Sequence, residues 1–89
     1  MAIPAETTVD LIRRLRRVEG QVHGVQQMLA DGRGCRDVLT QITAARKALD
    51  QTGYMLVASG LTWCVAHPGE TDDEGNSLED MQALFLRLS

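Results

Sequence analysis

Residues 10–29 read DLIRRLRRVEGQVHGVQQML, and their spacing leaves little choice of architecture. Leu11, Leu15, Val18, Val22, Val25 and Leu29 recur at steps of 4, 3, 4, 3 and 4. That is a heptad seam, the mark of helices packed nearly parallel or antiparallel to a neighbour. At about 100° per residue, Arg13, Arg16 and Arg17 fall on the opposite face. Upstream, MAIPA (1–5) reads as a loose arm, and Thr7 with Asp10 three positions later reads as a helix start. Downstream, DGRG (31–34) ends the helix.

From this first helix, 7–32, the rest of the chain follows. A longer second helix spans 35–66, with Val38, Ile42, Ala45, Leu49 and Leu56 on one face. HPGETDDEGN (67–76) is an acidic polar linker, and Pro68 stops the helix before it. Ser77 with Asp80 caps a short third helix, LEDMQALFLRL, so that 77–88 closes the chain. No strand pattern or internal repeat is present. The expectation is an all-α single domain over 1–89, a three-helix protomer with one long central helix.

Composition agrees. The 89 residues are 44% apolar yet hold one Trp, one Tyr and one Phe. Leu, Val, Ile, Met and Ala must therefore build the core, and so short a chain commonly completes it by oligomerising. No apolar run reaches the ~18 residues of a membrane span. With no signal peptide in view, the expectation is a soluble cytoplasmic protein.

Net charge is −3, which taken alone argues against nucleic acid. Its distribution does not: residues 1–67 carry eight Lys/Arg against six Asp/Glu, and residues 68–89 carry one against six. The cations bunch in RRLRR (13–17) and ARK (45–47). An ordinary solvated helix face would also explain such clusters.

The two cysteines carry the chemistry. Cys35 and Cys64 stand 29 residues apart on one helix, roughly 43 Å at 1.5 Å per residue. A disulfide needs Cα atoms within about 7 Å. The same 29 steps return to within about 20° of the starting face. If two copies of the helix pack antiparallel, Cys35 of one lies beside Cys64 of the other, twice per dimer. The plainer alternative is two unconnected small hydrophobes. Cys35 opens its helix beside Arg33 and Arg36, and a helix N-terminus and nearby cations both favour a reactive cysteine. As metal ligands, two thiolates suit Cu(I) and would want a third donor. His67, three positions after Cys64, is the one within reach; His23 reads as a surface residue.

RLRRVEGQVHGVQQML (14–29), Cys35, DVLTQITAARKAL (37–49) and the closing CV (64–65) together resemble the copper-sensing repressor (CsoR/RcnR) family. The resemblance covers about residues 11–66. It implies a flat homotetramer, a dimer of antiparallel dimers, that binds operator DNA and releases it when an inducer reacts between subunits. It points to Arg14, Arg17 and Arg46 for DNA, with Arg13, Arg16 and Lys47 as further phosphate partners. Copper sensors of the family carry Cys, His and Cys where this chain has Cys35, Gly60 and Cys64, and Gly60 cannot ligate anything. Here Gly34 also stands where they often have a tyrosine, and Asp80 lies roughly where they place a supporting carboxylate.

The nickel and cobalt branch needs further N-terminal histidines, and the formaldehyde branch lacks the second Cys. This chain is most similar to the persulfide-sensing (CstR-like) branch. The implied function is a repressor released when Cys35 and a neighbour's Cys64 react with persulfides or polysulfides to form di- to tetrasulfide bridges. No resident cofactor is expected. The alternatives are a Cu(I)-responsive repressor using both thiolates, with or without His67, and a helical oligomerisation module with no role on DNA. No Cys-X-X-Cys, base–nucleophile pair or cofactor loop suggests an enzyme.

Overall fold

Helix α1 opens at Ala5, two residues before the expected start, in the computed structural model, which describes residues 3–88. Pro4 is its N-cap, with φ −56° and ψ 146°, and its carbonyl accepts the Thr8 N–H at 3.0 Å. A proline just before the helix has no N–H to leave unpaired and a φ already suited to the turn. Thr7 is therefore inside the helix, and Asp10 is drawn to arginines instead of capping it. Of the expected N-terminal arm, only Ile3 and Pro4 precede the helix among the described residues; Met1 and Ala2 lie outside them.

The helix ends at Ala30 rather than 32, by the glycine device expected of DGRG. Gly32 adopts φ +71°, which only glycine enters freely. Its N–H donates to Leu29 and that of Arg33 to Met28, at 3.1 and 2.9 Å, a Schellman closure. Helix α2 then runs unbroken over Cys35–Ala66, as the sequence predicts. His67 caps it, and Pro68 together with Gly69 at φ +80° turns the chain away.

The linker over 67–76 is an ordered turn. Asp72 accepts from the Glu74 and Asn76 backbones at 2.9 and 2.8 Å, and Gly75 takes φ +81°. Helix α3, Leu78–Arg87, starts from a complete capping box. The Ser77 hydroxyl accepts from the Asp80 N–H, and the Asp80 carboxylate accepts from the Ser77 N–H at 2.9 Å. Asp80 is thus engaged in capping. Ser77→Ala removes a cap of this kind, worth about 1 kcal/mol. Amide exchange across α3 should quicken about fivefold, with α1 unchanged.

α1 and α2 form a hairpin, and α3 folds back onto the C-terminal half of α2. The protomer measures 55 × 25 × 16 Å. Its least dimension is little more than one helix diameter, ~10–12 Å, so the hairpin is a single layer. One neighbour can cover only one line on each helix, so each apolar face is buried only in part within one chain. On α1, Leu11 and Val18 are buried, while Leu15, Val22 and Leu29 stay exposed. On α2 the line against α1 runs through Val38, Ala45 and Thr52, whose hydroxyl donates to the Ala48 carbonyl at 2.9 Å. Ile42 and Leu49, on the same apolar face, remain 45% and 50% exposed. With Val18, Val22, Val25 and Ala45 they line an open apolar groove. Such a face is stable in water once another chain covers it.

Candidate functional site

The Schellman turn places Cys35 as the first residue of α2. Gly34 precedes it as N-cap without a side chain, so nothing screens the thiol. Cys35 is exposed, and an Arg33–Asp37 ion pair of 3.5 Å spans the same turn. Cys64 lies at the other end of the same unbroken helix. Both thiols are free. One rigid helix between them, about 43 Å by its rise per residue, leaves no intrachain bond open to them.

The two cysteines differ sharply in surroundings. Helical phase puts both on one face, yet Cys64 is only 3% exposed. It packs with Val57 and Met81, and Leu61, Trp63, Leu78 and Leu88 surround that cluster. The cover comes from α3, which lies over the second half of the face and not over the first. Nothing in the helical phase of α2 foretold this difference.

Gly60, one turn before Cys64, is buried and brings no donor atom. His67 is turned to Trp63. Its ring stacks on the indole at 4.2 Å and 14°, and its Nδ1 stands 2.8 Å from the Trp63 carbonyl, which accepts its proton. Among the described residues, no group of three His, Cys, Asp or Glu side chains could hold a metal ion. A metal held by these thiols would have to join two chains.

The cations divide into paired and unpaired sets. Asp10 accepts from Arg13 at 2.7 Å and from the Nε of Arg14 at 3.0 Å, one turn along α1. These hydrogen bonds, Arg13's first, hold the Asp10 carboxyl below the usual aspartate range. The pair is therefore charged at neutral pH. Its small stabilising effect disappears only as pH falls through that lowered value. Arg14 is half-buried. Arg16, Arg17, Arg46 and Lys47 are exposed, with no ion pair among the described residues. Arg46 borders the apolar groove between α1 and α2, whereas Lys47 lies with Arg36, Leu39 and Thr43 on another side of α2. The spacing of 3 and 4 from Asp10 to Arg13 and Arg14 is the sequence signal of this clamp, and it competes with the cap expected between Thr7 and Asp10.

Two comparisons bear on this arrangement. A family model described as metal-sensitive transcriptional repressor matches residues 7–87. The copper-sensing transcriptional repressor RicR of Mycobacterium tuberculosis is 47% identical over 78 residues, 85% of this chain and 81% of that protein. The copper-sensing transcriptional repressor CsoR of Bacillus subtilis is 30% identical over 80 residues, 90% of this chain and 79% of that protein.

Proposed function

Because the chain belongs to the metal-sensitive transcriptional repressor family, we propose that it holds operator DNA as a homotetramer in the cytoplasm and lets go when reactive sulfur bridges two subunits. The observation that carries this reading is a donor set one short. Two free thiols occupy opposite ends of one helix, and Gly60 stands between them where the resemblance places a copper sensor's histidine.

In the first step, the Cys35 thiolate attacks the outer sulfur of a low-molecular-weight persulfide, expelling a thiolate and becoming Cys35–S–SH. The neighbour's Cys64 thiolate then attacks the Cys35 Sγ and expels hydrosulfide, leaving an inter-subunit disulfide. If Cys64 has itself been persulfidated, the bridge retains one more sulfur. The donor supplies the oxidising equivalent, so no other oxidant is needed. The bridge pins α2 of one chain to α2 of the next and disfavours the arrangement that fits DNA. Arg14, Arg17 and Arg46 hold phosphates, with Arg13, Arg16 and Lys47 beside them. No groove-reading helix-turn-helix is present among the described residues, so backbone charge and DNA shape dominate recognition.

A second reading draws on the relatives, both named as copper-sensing. Two thiolates suit a soft ion such as Cu(I). The fit is incomplete, since Gly60 gives no donor; His67, its Nδ1 proton held by the Trp63 carbonyl, keeps Nε2 as the one ring nitrogen open to a metal.

One anaerobic experiment separates the two. Reduced protein is treated with glutathione persulfide and, separately, with Cu(I), and non-reducing intact mass is read beside DNA anisotropy. The expected result is a cross-linked dimer carrying zero to two added sulfur atoms per bridge, with loss of DNA binding. Tight stoichiometric Cu(I) binding with DNA release, and no bridged dimer, would establish the copper reading instead.

A further inference from the structure

We infer that Arg36 joins Lys47 in a second phosphate-binding strip, along the edge of α2 that faces away from α1. The inference rests on the DNA-binding reading above and extends it to Arg36 and to a further edge of the chain.

The strip follows from helical phase. The line of α2 packed against α1 runs through Val38, Ala45 and Thr52. At about 100° per residue, Arg36 and Lys47 lie roughly 160° and 180° around the helix from Val38, and within about 20° of one another. Eleven steps of chain separate them, roughly 16 Å of helix. That is the length of about five phosphates along one DNA strand. Both line one open groove with Leu39, Thr40, Thr43 and Ala44. Thr40 and Thr43, between the two cations in phase, are short, and the Thr40 hydroxyl turns back to the Arg36 carbonyl at 2.9 Å. A rod-like polyanion laid along this edge meets both cations at once.

The charges on this edge are unspent. Arg36 and Lys47 are exposed and have no ion pair among the described residues. Asp37, beside Arg36, is paired with Arg33 at 3.5 Å. Asp50, three residues beyond Lys47, makes no ion pair with it. Residues 38–49 contain no acid, in a chain where acids outnumber Lys and Arg by 12 to 9. Arg13 and Arg14 differ, since both share Asp10. Free cations give up no protein partner when they take phosphates, and the counterions released from DNA drive the exchange. The edge is also open to such a ligand when subunits assemble through the apolar groove. Ile42 and Leu49, which line that groove, lie roughly 120–160° around α2 from the strip.

The test reads DNA binding against salt, using the reduced full chain. Phosphate contacts carry no sequence information. The probe is therefore a fluorescent duplex of ~30 base pairs and arbitrary sequence, in dilute salt. Arg36→Ala should weaken binding about 5- to 30-fold and lower the slope of log affinity against log salt by about 0.9 for each copy on the duplex. Arg36→Lys keeps the charge and should stay within about threefold of the parent. Lys47→Ala should act like Arg36→Ala. The double variant should multiply the two losses, as sites more than ~10 Å apart do. Arg87→Ala removes the same charge from α3, away from the strip, and should stay within about twofold. Circular dichroism should remain helical throughout, because neither strip side chain is buried. Should Arg36→Ala disturb the first turn of α2, Arg36→Gln keeps the length and reads the same loss.

Arg36→Ala within about twofold of the parent, its slope unchanged while Arg17→Ala weakens binding, overturns the strip and leaves the DNA reading standing. Equal losses in Arg36→Ala and Arg87→Ala also overturn it, because net charge would then suffice. If the unaltered chain shows no salt-dependent binding, the DNA-binding reading fails and the strip falls with it.

Discussion

Cys35→Ser should leave the repressor on its DNA at any persulfide concentration that releases the unaltered protein. Serine in place of an exposed thiol at the first position of α2 costs the fold of the single chain little. Operator affinity before treatment should therefore stay within about twofold of the parent. After treatment, non-reducing mass should show no bridged dimer. Cys64→Ser separates the two thiols further: Cys35 should gain one sulfur atom and stop there, with no cross-link. If Cys35→Ser still releases DNA on persulfide treatment, Cys35 is not the attacking thiol. If Cys64→Ser still forms a bridged dimer, Cys64 is not the resolving one.

Arg17→Ala should weaken operator binding about 10- to 100-fold at moderate salt. Removing one cation from a phosphate lowers the slope of log affinity against log salt by about 0.9, and an oligomer repeats the removal in every copy that touches the duplex. A fall of about 1.8 to 3.6 in the slope is expected if two to four copies do so. Arg13→Ala should cost distinctly less. Arg13 already shares its charge with Asp10 at 2.7 Å, whereas Arg17 has no ion pair among the described residues. The comparison is more informative than either value alone. Equal effects would mean that DNA strips Arg13 from Asp10. An unchanged salt slope in Arg17→Ala would remove that residue from the interface.

The pattern of errors in reading the sequence is physical. The Gly32 stop, the Pro68 stop and the Ser77–Asp80 capping box were legible because each is settled within four or five residues. The start of α1 was misplaced for a related reason. Two local devices competed for its first turn, Pro4 and a Thr7–Asp10 cap, and Asp10 found better partners in Arg13 and Arg14. The seams were half right. Heptad spacing identified which residues are apolar on one side, but not how many of them a single neighbour covers. Ile42 and Leu49 keep the seam's spacing and remain half-exposed, because the hairpin is one layer thick.

The amino-acid sequence by itself determined the helical class, the ends of α2 and the spacing that keeps Cys35 and Cys64 apart in one chain. Periodicity, caps and helical rise are short-range properties, written residue by residue. Tertiary structure alone decided that the two thiols are unlike, one open and one shut in. That difference arises from α3 folding back on α2, where Met81, Leu88 and Tyr54 meet their partners across 17 to 34 residues of chain. No local pattern at Cys64 encodes a cover that arrives from so far along the sequence.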